Sequence, residues 1–440
     1  MLNIPTQCDV VVIGGGPAGS LAATFLTQKG YEVVLLERQK HPRFHVGENL
    51  IPHFWKYTDI AQVSDDICSE GFIEKAGGTV AWNGVIRQMA FKDFGYTRPA
   101  YHVERERFDE ILLRNAQQVG STVIEEALVT QVDFSSDLQA QQTVHYRYLP
   151  DKSKRQIYCR FVVDASGQQS MVARQLDVRV PDNSFRFMSL WGYFKDSDYI
   201  GGNGQVCSRN QLGHIPPTTF VSSLSPTGNV GWAWHIPLRE STSVGLILPI
   251  EFMQRSKTQD LSWEKYFLQT CETTPILNQL LRTAKFQVGS FGKIADYSYR
   301  STQVAGPGYF LIGDAAGFID PIFSVGIVLG MYTAYLATWA IDRTMKKPQQ
   351  YQQAQDFFCR QLMARLEVSR SLALPNYQSD AQQITQLAQQ SIKFESSLEQ
   401  ELMHVVAHLT TRSDNFHTLL QNRASSVSID KLKVLEGISF

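Results

Sequence analysis

The sequence predicts an α/β protein, α+β over its whole length, in which a Rossmann-like βαβ domain is joined to an antiparallel-sheet domain and finished by a helical C-terminal region. Three observations predict it: an apolar run breaking into a glycine turn at 10–19, alternating segments over roughly 180–285, and a second apolar run meeting a turn at 308–314. The expected boundaries are 1–180 for the first part of the nucleotide domain, with an inserted active-site segment around 70–105, then 181–285 for the substrate sheet, 286–345 for the returning nucleotide segment and 346–440 for the helices.

VVVIGGGPAG at 10–19 reads as strand, turn and helix. Gly14 permits the sharp turn, Gly16 lets the backbone approach a pyrophosphate, and Gly19 lets the helix lie close on the strand, so that phosphates meet the positive helix end. Pro17 suits the first helical turn, where its missing N–H costs nothing. YEVVLLE at 31–37 is the second strand and ends in Glu37, at the spacing where a ribose hydroxyl needs an acceptor. HPRFHVGENLIP then breaks the pattern with two prolines and a glycine, as a cofactor-side loop would. Ala18, Arg38 and Arg43 complete the cofactor contacts expected of this half.

YHVERERFDEILLRNAQQVG at 101–120 turns from strand-like to helical, with Phe108, Ile111, Leu112 and Ala116 on one face. Arg105 at its start is placed to meet the pyrophosphate, whereas Arg107 reads as a solvated charge. VVDASG at 162–167 is another buried strand meeting a turn, and turns such as SPTGN at 225–229 punctuate the antiparallel stretch. LIGDAAGFIDP at 311–321 delivers Gly313 and Asp314 to a turn, where a carboxylate accepts from sugar or ribityl hydroxyls. Alone, this pair reads as a structural turn. Coupled to the N-terminal cradle it implies FAD, one extended dinucleotide held by two separated segments, and it accounts for the lack of a second GxGxxG for a nicotinamide.

A formal net charge of -1 gives no field for nucleic acid or an anionic membrane. Six cysteines without CxxC or metal spacing fit reduced thiols in a cytoplasm and imply neither a disulfide framework nor a zinc site. MLNIPTQCD has no basic region followed by an apolar core, so no signal peptide is expected. Residues 321–340 are uncharged and long enough to span a bilayer, but glycine and proline crowd their first half and Asp314 and Asp320 precede them; a buried loop and core helix is expected instead. The chain past 341 is glutamine-rich with helical periodicity, and its QAQQ and QLAQQSI runs read as helix surface. His404, His408 and His417 read as helix residues, since no third ligand accompanies the i, i+4 pair.

At this point the chain resembles the flavin-dependent halogenases, a family within the FAD-dependent aromatic monooxygenases, over about residues 8–345. WAWHIP at 232–237 matches the family's WxWxIP, and FIDPIFSVG at 318–326 matches its second pattern of Phe318, Pro321, Ser324 and Gly326. PRFHVGENLIP resembles the flavin-side loop, with Asn49 where serine is usual. On the residues alone, Trp232, Trp234 and Ile236 share one face of a strand that Pro237 ends, either a wall or a sandwich core face. The resemblance makes it a tunnel wall, with Phe318 and Pro321, that keeps substrate from flavin so that a small oxidant travels instead. Lys75, in GFIEKAGGTVAWNG, matches the family's lysine, whose ammonium hydrogen-bonds hypohalous acid and delivers its halogen to an electron-rich ring. Ser324, Val325 and Gly326 fall where a halide sits beside a flavin hydroperoxide.

Two departures bear on this. Val325 replaces the usual Ser or Thr, removing a hydroxyl donor worth about 1 kcal/mol to a halide. Phe323 stands where the tryptophan-specific branch carries a catalytic Glu, which places the chain nearer the phenol and pyrrole branch and disfavours free tryptophan. The resemblance thus implies an enzyme using FADH2, oxygen and chloride or bromide on a phenol, pyrrole or indole-like ring, free or tethered to a carrier protein, with reduced flavin from a separate reductase. The alternatives are an aromatic hydroxylase of the same fold, kept open by Val325 and Asn49 and acting on a small molecule or a protein side chain, an isoprenoid-chain reductase, and a non-catalytic flavin-binding role.

Overall fold

Val10–Ile13 is buried, and the backbone N–H and C=O groups of a buried strand need partners at both edges. Parallel neighbours supply them: Phe161–Asp164 on one edge and Val33–Leu36 on the other. The resulting six-stranded sheet continues outward through Thr122–Ile124 at one end and through Tyr309–Leu311 and Ala305–Gly306 at the other. The computed structural model of the protein describes residues 5–82, 84–135, 140–224, 231–251, 262–373 and 432–435. The expected turn at 225–229, the QLAQQSI run and the three C-terminal histidines lie outside these residues.

Pro17–Gln28 crosses from the first strand to the second, with Pro17 at its first position. The helix lies so close to the turn that a Cβ on Gly19 would sit 1.9 Å from the Gly14 carbonyl oxygen, and Gly14 itself has φ +103°. Gly326–Lys346 packs against this helix. Among the described residues no helix is long and apolar enough to cross a membrane, in keeping with the core helix expected from 321–340.

The antiparallel layer is wider than the 181–285 segment suggests. Among the described residues its nine strands include Phe187–Lys195, Thr242–Pro249, Trp232–Pro237 and Thr218–Ser223, but also the hairpin Gly77–Trp82 and Val85–Ala90, the later strand Gly292–Ala295, and Lys433–Val434 at one edge. The hairpin joins through a parallel pairing of Gly77–Trp82 with Thr218–Ser223. One face of this sheet packs on the main core; the other packs on Trp263–Thr273 and Pro275–Leu281 through Phe267, Ile276, Leu277 and Leu280.

Candidate functional site

The nucleotide cradle takes the form the glycines dictate. Glu37 is buried, and its Oε2 accepts from the Gly15 N–H at 2.6 Å while Oε1 accepts from Gln39 N–H at 2.8 Å, so the second strand's acid braces the turn itself. The helix beginning at Pro17 has no side-chain cap, which leaves its first N–H groups to a ligand. Arg43 closes the mouth: its Nη2 lies 3.5 Å from where a Cβ on Gly16 would be. Its buried Nη1 is 3.2 Å from Asp109 Oδ2, a charge contact without hydrogen-bond alignment, so those N–H groups remain to be satisfied. An anion between Gly16 and Arg43 would satisfy both, as the pyrophosphate of FAD does at a helix start.

Asp314 is brought to the other segment, where desolvation pushes its carboxyl up to about 6, partly offset by Arg105. Among the described residues no side chain or backbone donor hydrogen-bonds this carboxylate, which suits a ribityl or ribose hydroxyl. Tyr299 donates instead to the Asp314 carbonyl at 2.6 Å. Ala18 has a packing role: Cβ atoms on Gly313 and Gly330 would lie 3.3 and 3.2 Å from its methyl, so three small residues let the two cofactor segments meet. Arg38 is exposed.

Arg105 departs from the expected pyrophosphate contact. Its guanidinium is buried and committed to Asp109, by Nε at 2.8 Å and Nη2 at 3.0 Å, and to the carbonyls of Val46 and Gly47 at 3.0 and 3.3 Å through Nη1. It therefore holds the cofactor-side loop in shape. Arg107 pairs with Glu70 and Glu110 at the surface.

The tryptophans form the face that alternation predicts. Trp232, Trp234 and Ile236 belong to the main core, and Ala233 between them to the separate core beneath the two outer helices. The two indole rings lie 6.1 Å apart, and Trp234 lies across Gly245, where a Cβ would meet its ring at 2.0 Å. Only glycine on the neighbouring strand leaves room for it. Phe318 stacks edge-on against Tyr297 at 5.9 Å, and Phe323 and Val325 are buried.

Lys75 is 3 % exposed, at the end of the short strand Ile73–Lys75. Burial pulls its ammonium from 10.5 down to about 7. Nζ donates to Asn49 Oδ1 and, at 3.1 Å, to Thr219 Oγ1, and it lies 5.2 Å over the Phe91 ring. His102 extends the chain: Nδ1 is 3.0 Å from the Pro237 carbonyl and Nε2 is 2.8 Å from Thr219 Oγ1. Burial, then the Lys75 charge, keep this imidazole well below its ordinary pKa and hence neutral. A carbonyl only accepts, so Nδ1 carries the imidazole proton; Thr219 Oγ1 accepts from Lys75 and has one proton to share between two acceptors, His102 Nε2 and, at 3.0 Å, Asn49 Oδ1. Asn49 Nδ2 then donates to Ser324 Oγ at 2.6 Å, which joins the lysine to the FIDPIFSVG turn.

The sequence singled out Lys75, Ser324 and the tryptophans. It missed Thr219, His102, Glu48 and Tyr193, and marked Asn49 only as a departure. One signal for the hairpin that carries part of this region is present in the sequence, Asn-Gly at 83–84 between apolar runs, a pattern favoured in two-residue hairpin turns, and Trp82 pairs with Val85.

Comparison with known proteins gives the family. A family model described as tryptophan halogenase matches residues 9–97 and 83–424. A flavin-dependent halogenase of Armillaria mellea is 35% identical over 350 residues, covering 75% of this chain and 63% of that protein. A tryptophan 2-halogenase of Chondromyces crocatus is 32% identical over 364 residues, covering 82% of this chain and 66% of that protein. The chain thus spans slightly less than two thirds of the length of these two relatives. The solved myxobacterial chondrochloren halogenase, described as a variant of FAD-dependent halogenases, superposes with a TM-score of 0.75 at 27% identity, covering 94% of this chain and 99% of that one. With the family model matching most of its length, the chain belongs to the tryptophan halogenase family of flavin-dependent halogenases.

Proposed function

We propose that the chain is an FAD-dependent halogenase that chlorinates or brominates an electron-rich aromatic ring. The observation that carries this reading is Lys75: a buried amine, poised near neutrality, held by Asn49 and Thr219 in a region continuous with the tryptophan strand. Bound reduced FAD would supply the two electrons that, with one oxygen molecule, oxidise halide to hypohalous acid. The net change converts an aromatic C–H, a halide ion, a proton, oxygen and FADH2 into an aromatic C–X, FAD and two waters. The protein's part is positional. Gly16, Arg43 and Asp314 hold the dinucleotide, Trp232, Trp234 and Ile236 keep the ring from the flavin, and the Lys75 ammonium donates to the oxygen that leaves the halogen.

Phe323 supports a phenol, pyrrole or other indole-like substrate over free tryptophan, since the turn offers no carboxylate at that position. The substrate is free or carried on a protein, and a separate reductase supplies reduced FAD. Among the described residues all the cysteines are free, which supports a reducing compartment such as the cytoplasm.

The test is mass spectrometry of products formed with FAD, a flavin reductase, NADH, oxygen, bromide and a panel of phenols, pyrroles, carrier-tethered pyrroles and tryptophan. A bromine isotope doublet that disappears in Lys75→Ala is expected. An added oxygen without halogen would overturn the reading in favour of a hydroxylase.

A further inference from the structure

Ser324 lies in the left-handed region, φ 56° and ψ 28°, one residue before the cap of the helix Gly326–Lys346. Its backbone N–H is committed to the Pro321 carbonyl at 3.0 Å, so it is not available to a halide. Val325 brings no hydroxyl. The backbone N–H groups of Val325 and Gly326, at the uncapped start of the helix, remain as donors to an anion, and the Ser324 side chain is the one hydroxyl the turn can add to them.

We propose that Asn49 is a positioning residue that turns the Ser324 hydroxyl proton toward the halide, and that Lys75 fixes Asn49 in the orientation that does so. The argument is one of donors and acceptors, and it rests on the halogenase reading above. While Lys75 holds its proton, below about pH 7, its ammonium has no acceptor, so the atom of Asn49 facing Lys75 Nζ is the carbonyl Oδ1. The amide is rigid, so Nδ2 must face Ser324, which it reaches at 2.6 Å. Ser324 Oγ must accept that bond, and its own proton is left to a further partner. A hydroxyl that accepts an N–H bond becomes a better donor. An amide serves both partners from separate atoms: an ionised aspartate cannot donate to Ser324, and a serine at position 49 would have to accept from Lys75 and donate to Ser324 through a single, shorter oxygen. Asn49 thereby compensates for the missing hydroxyl at Val325.

The test is bromide titration of the FAD-loaded protein, read as the perturbation of the visible absorption of bound FAD, with Asn49→Leu, Ser324→Ala and the double variant. Asn49→Leu and Ser324→Ala should each raise the bromide dissociation constant about tenfold, and the double variant should be no weaker than Ser324→Ala alone, because both remove one interaction. Asn49→Ser, a smaller polar change, should weaken bromide in the same direction and guards against a folding defect in the leucine variant. Effects that multiply in the double variant, or bromide affinity indifferent to Asn49, would overturn the proposal and leave the halogenase reading standing. A parent protein whose flavin does not respond to bromide would overturn both.

Discussion

Tyr193, on the strand Phe187–Lys195 of the antiparallel sheet, donates its phenolic proton to Glu48 in the loop beside the nucleotide cradle. The Gly47 N–H donates to the other carboxylate oxygen at 3.0 Å, and Phe44 rests edge-on against the tyrosine ring at 5.9 Å. Burial pushes the Glu48 carboxyl up, and the Tyr193 bond works against that push. The pair ties the loop to the sheet one residue before Asn49.

Tyr193→Phe leaves this carboxylate short of a donor and should cost about 1–3 kcal/mol at neutral pH, read from urea denaturation. Because Glu48 is raised in the folded state, acid neutralises it and removes the charge that Tyr193 solvates. The loss should therefore be smaller at pH 5 than at pH 8; an equal loss at both would show that the bond matters only through packing.

Lys75 sets function against stability. Its ammonium ionises near 7 in the folded protein and near 10.5 when unfolded. Below about 7 both states hold the proton and the folded state bears a buried cation. Between 7 and 10.5 the unfolded state binds more protons, so the lysine's destabilisation fades as pH rises. Lys75→Met should raise the melting temperature at pH 6, by roughly 2–4 kcal/mol of stability, and much less at pH 10.

In the active protein the same titration should appear as a rate. Halogen transfer that depends on the ammonium should decline as pH rises through about 7, and Lys75→Ala should lower bromination by about 100-fold or more while reduced flavin is still consumed. Product and NADH turnover, measured in parallel, separate the two.

The tryptophan wall rests on Gly245. Gly245→Ala places a carbon 2.0 Å from the Trp234 ring and forces the indole to move, which should cost about 1–3 kcal/mol in chemical denaturation. Trp234→Ala should cost about 3–5 kcal/mol. In both, a thioether trap in solution should capture more hypobromous acid per aromatic bromide formed, since the wall no longer directs it.

What could be read in the sequence was what neighbouring residues decide. The cradle at 10–19 and the alternating tryptophans depend on turn geometry and on the two-residue repeat of a strand, and their strand, turn and helix form as read; Glu37 follows its strand as expected, but its carboxylate accepts from the Gly15 and Gln39 N–H groups. Lys75 was placed by resemblance alone, because its burial is made by Asn49, Thr219 and Phe91, none of them near it in the chain apart from the hairpin's end. Arg105 was misplaced for a related reason: a basic residue at a helix start suits a phosphate, but Asp109 one turn on captures it first. The recruitment of 77–90 into the substrate sheet depends on a parallel pairing of Gly77 with Thr218 and of the residues that follow each, far apart in the chain, which no local pattern records.

Alternate residues of the strand Trp232–Pro237 answer to different masters. Trp232, Trp234 and Ile236 face the main core and, on the proposed reading, the reacting ring, whereas Ala233 belongs to a core made with Phe267, Ile276, Leu277 and Leu280. Selection can therefore retune the inner face for a new ring while the outer face keeps the sheet folded, and it can harden the outer face without touching what the enzyme makes. A library confined to inward positions should yield altered specificity at low cost in yield, which makes this sheet a natural place for a lineage to diversify.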